Sequence, residues 1–321
     1  MAVLPGGSAA GPMNRIEWPD KKRFAFTIFD DTDKTNLQNG LPFYDFLRDC
    51  GFRTTKSVWT VKGENRLPGA GSTCEDKPYL DWVLQLRDQG FEIGLHNVSS
   101  ATSNRAQTEK GFETFRALFD RDPATLSNHA ACGESIYWGA ERLSGINRML
   151  YTALMGKNHA ENFRGHIQGD PLFWGDICRD RVTYVRNFVY NEINTLKACP
   201  FMPYHDPLRP CVKYWFPSTE GADVDSFTRM ISEKNQDRLE AEGGACIMYT
   251  HAGNRFWNNT LDAGFKRLMT RLSKKNGWFV PVATLLDFLR ENQGHHVISR
   301  GERTRLETKW LLHKIMLGGS T

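Results

Sequence analysis

The sequence has no CxxC pair. Its seven cysteines, at positions 50, 74, 132, 178, 199, 211 and 246, are odd in number and scattered, which argues against a disulfide framework or a structural zinc knuckle and points to reduced thiols. It also has no apolar run of bilayer-spanning length, and the N-terminal MAVLPGGSAAGPMN lacks the basic start and apolar stretch of a signal peptide. A cytoplasmic location is therefore expected, and the N-x-S/T triplets at Asn97 and Asn258 read as chance matches. A strong charge of one sign is missing as well, since 41 basic against 37 acidic residues leave a net +4. That argues against nucleic acid as a partner, which calls for a concentrated basic face.

What is present is a globular composition, 40% hydrophobic, 24% charged and 12% aromatic, in 321 residues. This length suits one large α/β barrel or two ordinary domains. Residues 1–20 are rich in Gly, Pro and Ala and read as a flexible tail. FAFTIFDDTD, from Phe24 to Asp33, then reads as a buried strand that delivers Asp30, Asp31 and Asp33 to its C-terminal rim, ahead of a turn-prone Asn39-Gly40. Strand-like RTTKSVWTV, FEIGLH, ATLSNHA, RVTYVRNFVY, KYWFPS and GACIMYTHAG follow, separated by helix-like segments such as LPFYDFLRDCG (41–51), ESIYWGAERLSGINRMLYTALMG and GADVDSFTRMISEKNQDRLEAEGG. The alternation predicts an α/β fold, a distorted and incomplete (β/α) barrel of about seven strands. The barrel is placed at 21–295, with an insertion around 139–185 that is a candidate lid, and an amphipathic helix at 296–321.

In such a barrel alternate residues face inward and the chemistry sits where the strands end. Ala25, Thr27, Phe29 and Asp31 share one inward face; Glu92, Gly94 and His96 a second; Thr125, Ser127 and His129 a third; Ala245, Ile247, Tyr249 and His251 a fourth. Asp31, His96 and His129 thus form a candidate metal site, two imidazoles and a carboxylate with an open position, beside Asp30. For each residue taken singly, a helix cap or a hydrogen-bonded structural histidine is the plainer explanation.

FTIFDDTD, GLHNVSS and the late YTHAG resemble the NodB-type polysaccharide deacetylases, of which this chain would be a divergent member. The family pattern is a T-F-D-D strand, an H-x-x-x-H turn and a late strand ending in Leu-x-His or similar. The resemblance implies a NodB-like β/α barrel whose divalent cation, Zn2+ in the first instance, serves hydrolysis of an N-acetyl amide on a sugar. It further implies Asp30 as general base, Asp31 and His96 as metal ligands and His251 as general acid. Two departures stand out: Ser100 occupies the place of the family's second histidine, and the Arg-x-Pro-Tyr segment whose arginine steadies the base is absent. His129 is therefore taken as the third ligand, and Arg186 in YVRNF as the replacement arginine on the substrate side.

His251 calls for a neighbouring acid, with Asp225 and Asp206 as candidates, and a backbone N–H between Asn128 and Ala131 is the expected oxyanion donor. Trp215, Tyr137, Trp138 and Trp257 fall near strand ends and could stack on a sugar ring, with core packing as the alternative for each. His205-Asp206 reads as a rigid rim loop and His295-His296 as a solvated turn. The basic amphipathic segment 303–317 could touch an anionic membrane or dock on the barrel. Two rivals to the deacetylase reading are kept: a hydrolase of another C–N bond, amide or ureido, and a metal-free carbohydrate-binding barrel.

Overall fold

The computed structural model describes residues 16–64, 69–130, 132–156 and 162–317. Seven parallel strands form the barrel: β1 (Phe24–Asp30), β2 (Thr55–Val58), β3 (Glu92–His96), β4 (Thr125–Ser127), β5 (Tyr184–Tyr190), β6 (Tyr214–Thr219) and β7 (Ala245–Thr250). Each pairs with the next, and β7 returns to β1 through a ladder from Ala25 opposite Ala245 to Asp30 opposite Thr250. The barrel is one strand short of eight. Its thinnest seam is β6–β7, held in register at Thr219 and Met248, and the β5–β6 ladder shifts register between Arg186 and Val189. Every residue of β1 is buried, as expected of a strand bonded on both sides and covered on both faces.

Caps set the helix limits. The helix α1 (Leu37–Asp49) starts four residues before the predicted position. The Asn36 side chain accepts from the N–H groups of Gln38 and Asn39, while Asn39 Oδ1 accepts from the Asn36 N–H, so Asn39-Gly40 lies inside the first helical turns and is not a loop. Gly40 is required there because a Cβ would meet the Trp82 ring at 2.7 Å. Then come α2 (Lys77–Asp88) and α3 (Arg105–Phe119), the latter capped reciprocally by Asn104 and Gln107.

The expected helix from Glu134 onward is absent at its start. Tyr137 has a left-handed φ of 45°, Gly139–Arg142 forms only a short 3-10 turn, and the helix α4 begins at Gly145 and ends at Met155. After α5 (Gly175–Arg181), the predicted helix over GADVDSF…EGG divides at Ile231–Ser232 into α6 (Val224–Met230) and α7 (Glu233–Glu242). The shell is completed by α8 (Ala263–Ser273), α9 (Val282–Gln293) and α10 (Arg300–Leu317).

Both ends of the chain pack more closely than their composition suggests. Residues 1–15 of the expected tail lie outside the described residues, but Trp18 is buried, donates its Nε1–H to the Gly243 carbonyl and stacks on Phe288 at 5.5 Å. His295-His296 is no free turn: Tyr214 Oη lies 2.8 Å from His295 Nδ1, His296 stacks on Phe201 at 4.5 Å, and His296–Val297 pairs with a strand at Tyr204–His205. The basic helix α10 buries Leu306, Trp310 and Leu311, with Trp310 against Tyr151 and Phe188. Its last turn leaves Leu312, Ile315 and Met316 exposed. Among the described residues no helix is long and apolar enough to cross a membrane.

Buried charges lock α10 in place. Asp206, predicted on an open rim loop, is buried and accepts from Arg303 and Arg209, and Arg209 also donates to Glu307, which in turn accepts from Ser144. Burial alone would raise the Asp206 carboxyl; Arg303 and Arg209 outweigh it and hold the group below its ordinary value. A carboxyl depressed on folding contributes stability above its unfolded pKa of about 3.9 and loses it as pH falls through the folded value. The stability gap between wild type and Asp206→Asn should therefore be large at pH 7 and shrink below pH ~4. Urea titrations across that range check this, and a pH-independent gap contradicts it.

Candidate metal centre and acid–base site

The C-terminal ends of β1, β3, β4 and β7 converge on one carboxylate, Asp33. Asp33 Oδ2 lies 2.9 Å from His96 Nε2 and 3.4 Å from His251 Nε2, and Asp33 Oδ1 lies 2.9 Å from His129 Nε2. The ring planes of His96 and His129 are nearly perpendicular, 5.0 Å apart, and Trp59 at the end of β2 packs against both. The turn that carries His251 passes so close to the β1 loop that a Cβ on Gly253 would meet the Lys34 backbone at 2.5 Å. That glycine lets His251 reach Asp33.

Below this cluster Asp31 is held from three directions. Arg186, reaching inward from β5, donates from both terminal nitrogens at 3.0 and 2.5 Å, and the Ser127 hydroxyl donates at 2.8 Å. The guanidinium also sits 4.4 Å from the Tyr249 ring centroid. Burial would raise the Asp31 carboxyl, but Arg186, His96 and His251 outweigh it and keep it below its ordinary value. Asp33 lies further below its own: burial is overcome by His96 and His129. Both carboxyls are anions at neutral pH. Burial and Asp31 push the Tyr249 phenol well above its ordinary value, so it keeps its proton.

The structure therefore brings together Asp31, His96, His129 and His251, and adds Asp33, to which sequence reasoning assigned no role. The signal was in the DDTD motif, whose third acid lies three residues beyond the end of β1 and two beyond Asp31. A ligand set of His96, His129 and Asp33 is the tightest available, and a second set of Asp31, Asp33 and His251 shares Asp33; in each the candidate ligand atoms lie within 4.8 Å of one another. Two imidazoles and a carboxylate fit zinc or a similar divalent ion. Asp31 is the poorer ligand because Arg186 and Ser127 already occupy its oxygens.

Other expected roles need correction. Asp30 is fully buried on the opposite face of β1, where Oδ1 accepts from the Ala252 N–H at 2.7 Å and Oδ2 from Tyr44 at 2.8 Å, with Lys56 Nζ at 3.1 Å. It faces away from the histidines, and its contacts tie β1 to β2 and α1. Arg186 is 1% exposed and steadies Asp31, so it does not contact substrate. Trp215 and Trp138 are core residues, and Tyr137 is buried with its ring on His166 at 4.4 Å and its hydroxyl accepting from the Cys211 N–H. Asp225 is exposed and Asp206 belongs to the α10 clamp, so the acid facing His251 is Asp33. The Ser100 hydroxyl is buried without a hydrogen-bond partner. In the loop expected to supply an oxyanion donor, the His129 N–H is engaged by Asn97 Oδ1, and Ala131 lies outside the described residues. Asn97 itself is buried, in keeping with a chance glycosylation triplet.

No family model matches the chain, and a search of curated proteins finds no match. Among solved structures, the chain superposes on the PuuE allantoinase with a TM-score of 0.52 at 12% identity, over 89% of this chain and 96% of that one. A probable polysaccharide deacetylase from Pseudomonas aeruginosa PAO1 aligns at TM-score 0.47 and 10% identity over 86% and 93% of the two chains. A putative polysaccharide deacetylase from Mycobacterium smegmatis aligns at 0.45 and 10% over 90% and 98%. The likeness to the allantoinase establishes the fold, the NodB-like distorted (β/α) barrel implied by the sequence motifs.

The placement of Asp30 has a measurable consequence. Asp30→Ala leaves Lys56 buried without its counter-charge and should cost about 3–5 kcal/mol of stability in urea unfolding. A cost below about 1 kcal/mol would contradict this structural role.

Proposed function

We propose that the chain is a metal-dependent hydrolase that removes the acetyl group from an N-acetylated sugar or glycan precursor. The observation that carries this reading is the convergence of His96, His129 and His251 on Asp33 beside an arginine-held Asp31. Asp33, His96 and His129 would hold the cation. When bound, such an ion lowers the pKa of water and polarises an amide carbonyl.

The remaining roles belong to the protein's own groups. Asp31 is anionic and on the cluster side of β1, and its Oδ2, which accepts from Arg186 alone, keeps a lone pair to take the attacking water's proton, whereas Asp30 faces away from the cluster. His251 Nδ1 lies 2.9 Å from the Ala222 carbonyl, which can only accept, so Nδ1 carries a proton and Nε2 is the atom that exchanges one with the site. Nε2, 3.2 Å from the Tyr249 hydroxyl and facing Asp33, delivers the proton that the departing amine requires.

A second reading changes only the substrate. Hydrolysis of another C–N bond, amide or ureido, is favoured by the fold likeness to an allantoinase. Release of acetate from N-acetylated chitooligosaccharides, measured beside turnover of ureido compounds, separates the two. Elemental analysis should find stoichiometric zinc in the wild type and its loss in Asp33→Ala. His251→Ala should keep the ion while kcat falls about 10²–10⁴-fold. A wild-type protein that holds no metal yet binds glycans contradicts the hydrolase and favours a carbohydrate-binding barrel.

A further inference from the structure

We propose that Ser127 is a positioning residue that fixes the proton of His96 on Nδ1 and so reserves Nε2 for the cation. The inference deepens the hydrolase reading above, but its first step concerns hydrogen-bond direction alone.

The Ser127 hydroxyl has one proton and two polar neighbours. One is Asp31 Oδ1 at 2.8 Å; the other is His96 Nδ1, also at 2.8 Å. Arg186 donates to both oxygens of Asp31 and keeps it a carboxylate, which can only accept. The hydroxyl proton therefore goes to Asp31. Ser127 Oγ is left to accept, and His96 Nδ1 must donate to it. The second neighbour of Nδ1, the Ser127 carbonyl at 3.3 Å, is an acceptor as well. Ser127 is fully buried, so no solvent competes for these bonds.

With the Nδ1 proton fixed, Nε2 points a lone pair at Asp33 Oδ2, 2.9 Å away. That lone pair is the one left to meet a cation held together with Asp33. The chain Arg186, Asp31, Ser127, His96 thus links the charge of the candidate base to the ligand geometry of the metal site. Among the described residues, the hydrogen-bond neighbour of His129 Nδ1 is the weakly accepting thiol of Cys132 at 3.3 Å.

The test uses the ¹⁵N-labelled full chain, with imidazole nitrogen shifts recorded for metal-free and zinc-loaded protein and zinc affinity taken by competition with a chromophoric chelator. In the wild type, His96 Nδ1 should be protonated in both states. Ser127→Ala should move that proton to Nε2 and weaken zinc binding about 10–100-fold, while Ser127→Thr, which keeps the hydroxyl, should restore both. An unprotonated Nδ1 in the wild type overturns the proposal, as does a Ser127→Ala protein with unchanged tautomer and affinity. Should Ser127→Ala not fold, the wild-type spectrum decides. A wild type that binds no zinc but shows the Nδ1 proton defeats the hydrolase reading and leaves the positioning role standing.

Discussion

The buried ion pair between Arg186 and Asp31 is the interaction around which the site is arranged. It crosses the barrel from β5 to β1, with both side chains almost inaccessible to water. An ion pair so placed need add little net stability, yet losing one partner strands the other in a low-dielectric interior. It is better understood as a fixture that sets positions. Asp31 held by Arg186 fixes the direction of the Ser127 hydroxyl, and through Ser127 the ring of His96. The same guanidinium lies against Tyr249, whose hydroxyl meets His251. One buried charge thus reaches both sides of the cluster.

Alternation along β1 then separates two adjacent acids into unlike roles. Asp30 faces the helical layer and is consumed by Lys56, Tyr44 and the Ala252 N–H. Asp31 faces the interior and stays beside the histidines. Asp33, past the end of the strand, reaches three imidazoles because the chain there is no longer committed to the ladder. Of three carboxylates within four residues, one is thus tied into the scaffold while Asp31 and Asp33 face the imidazoles. Their positions, more than their intrinsic acidity, decide which does which.

Much of this was legible in the sequence where a two-residue period governs. The strand faces ending in Asp31, His96, His129 and His251 were readable because a strand's alternation survives into the fold, and the seven-strand barrel followed from strict alternation of strand and helix. Applied to Asp30 as well, the same alternation puts it on the outer face, although the site was read as lying beside it. The motif resemblance nevertheless suggested Asp30 as base, and on that point the period was the better guide. Asp33 was harder to assign because it lies beyond the strand, where no period applies. For Trp215 and Tyr137 the sequence left both roles open for another reason: whether an aromatic near a strand end stacks on a ligand or fills the core depends on neighbours distant in sequence, here Tyr137 against His166 and Trp215. The start of α1 turned on a reciprocal Asn36–Asn39 cap, which the turn propensity of Asn-Gly masks.

The central claim is that Asp33, His96 and His129 hold one cation by oxygen and nitrogen alone, although the Cys132 thiol lies against His129. X-ray absorption at the zinc edge of the loaded protein tests it most directly. The account predicts a shell of nitrogen and oxygen at about 2.0–2.2 Å with imidazole scattering and no sulfur. A sulfur scatterer at about 2.3 Å, or a shell without imidazole, would contradict it.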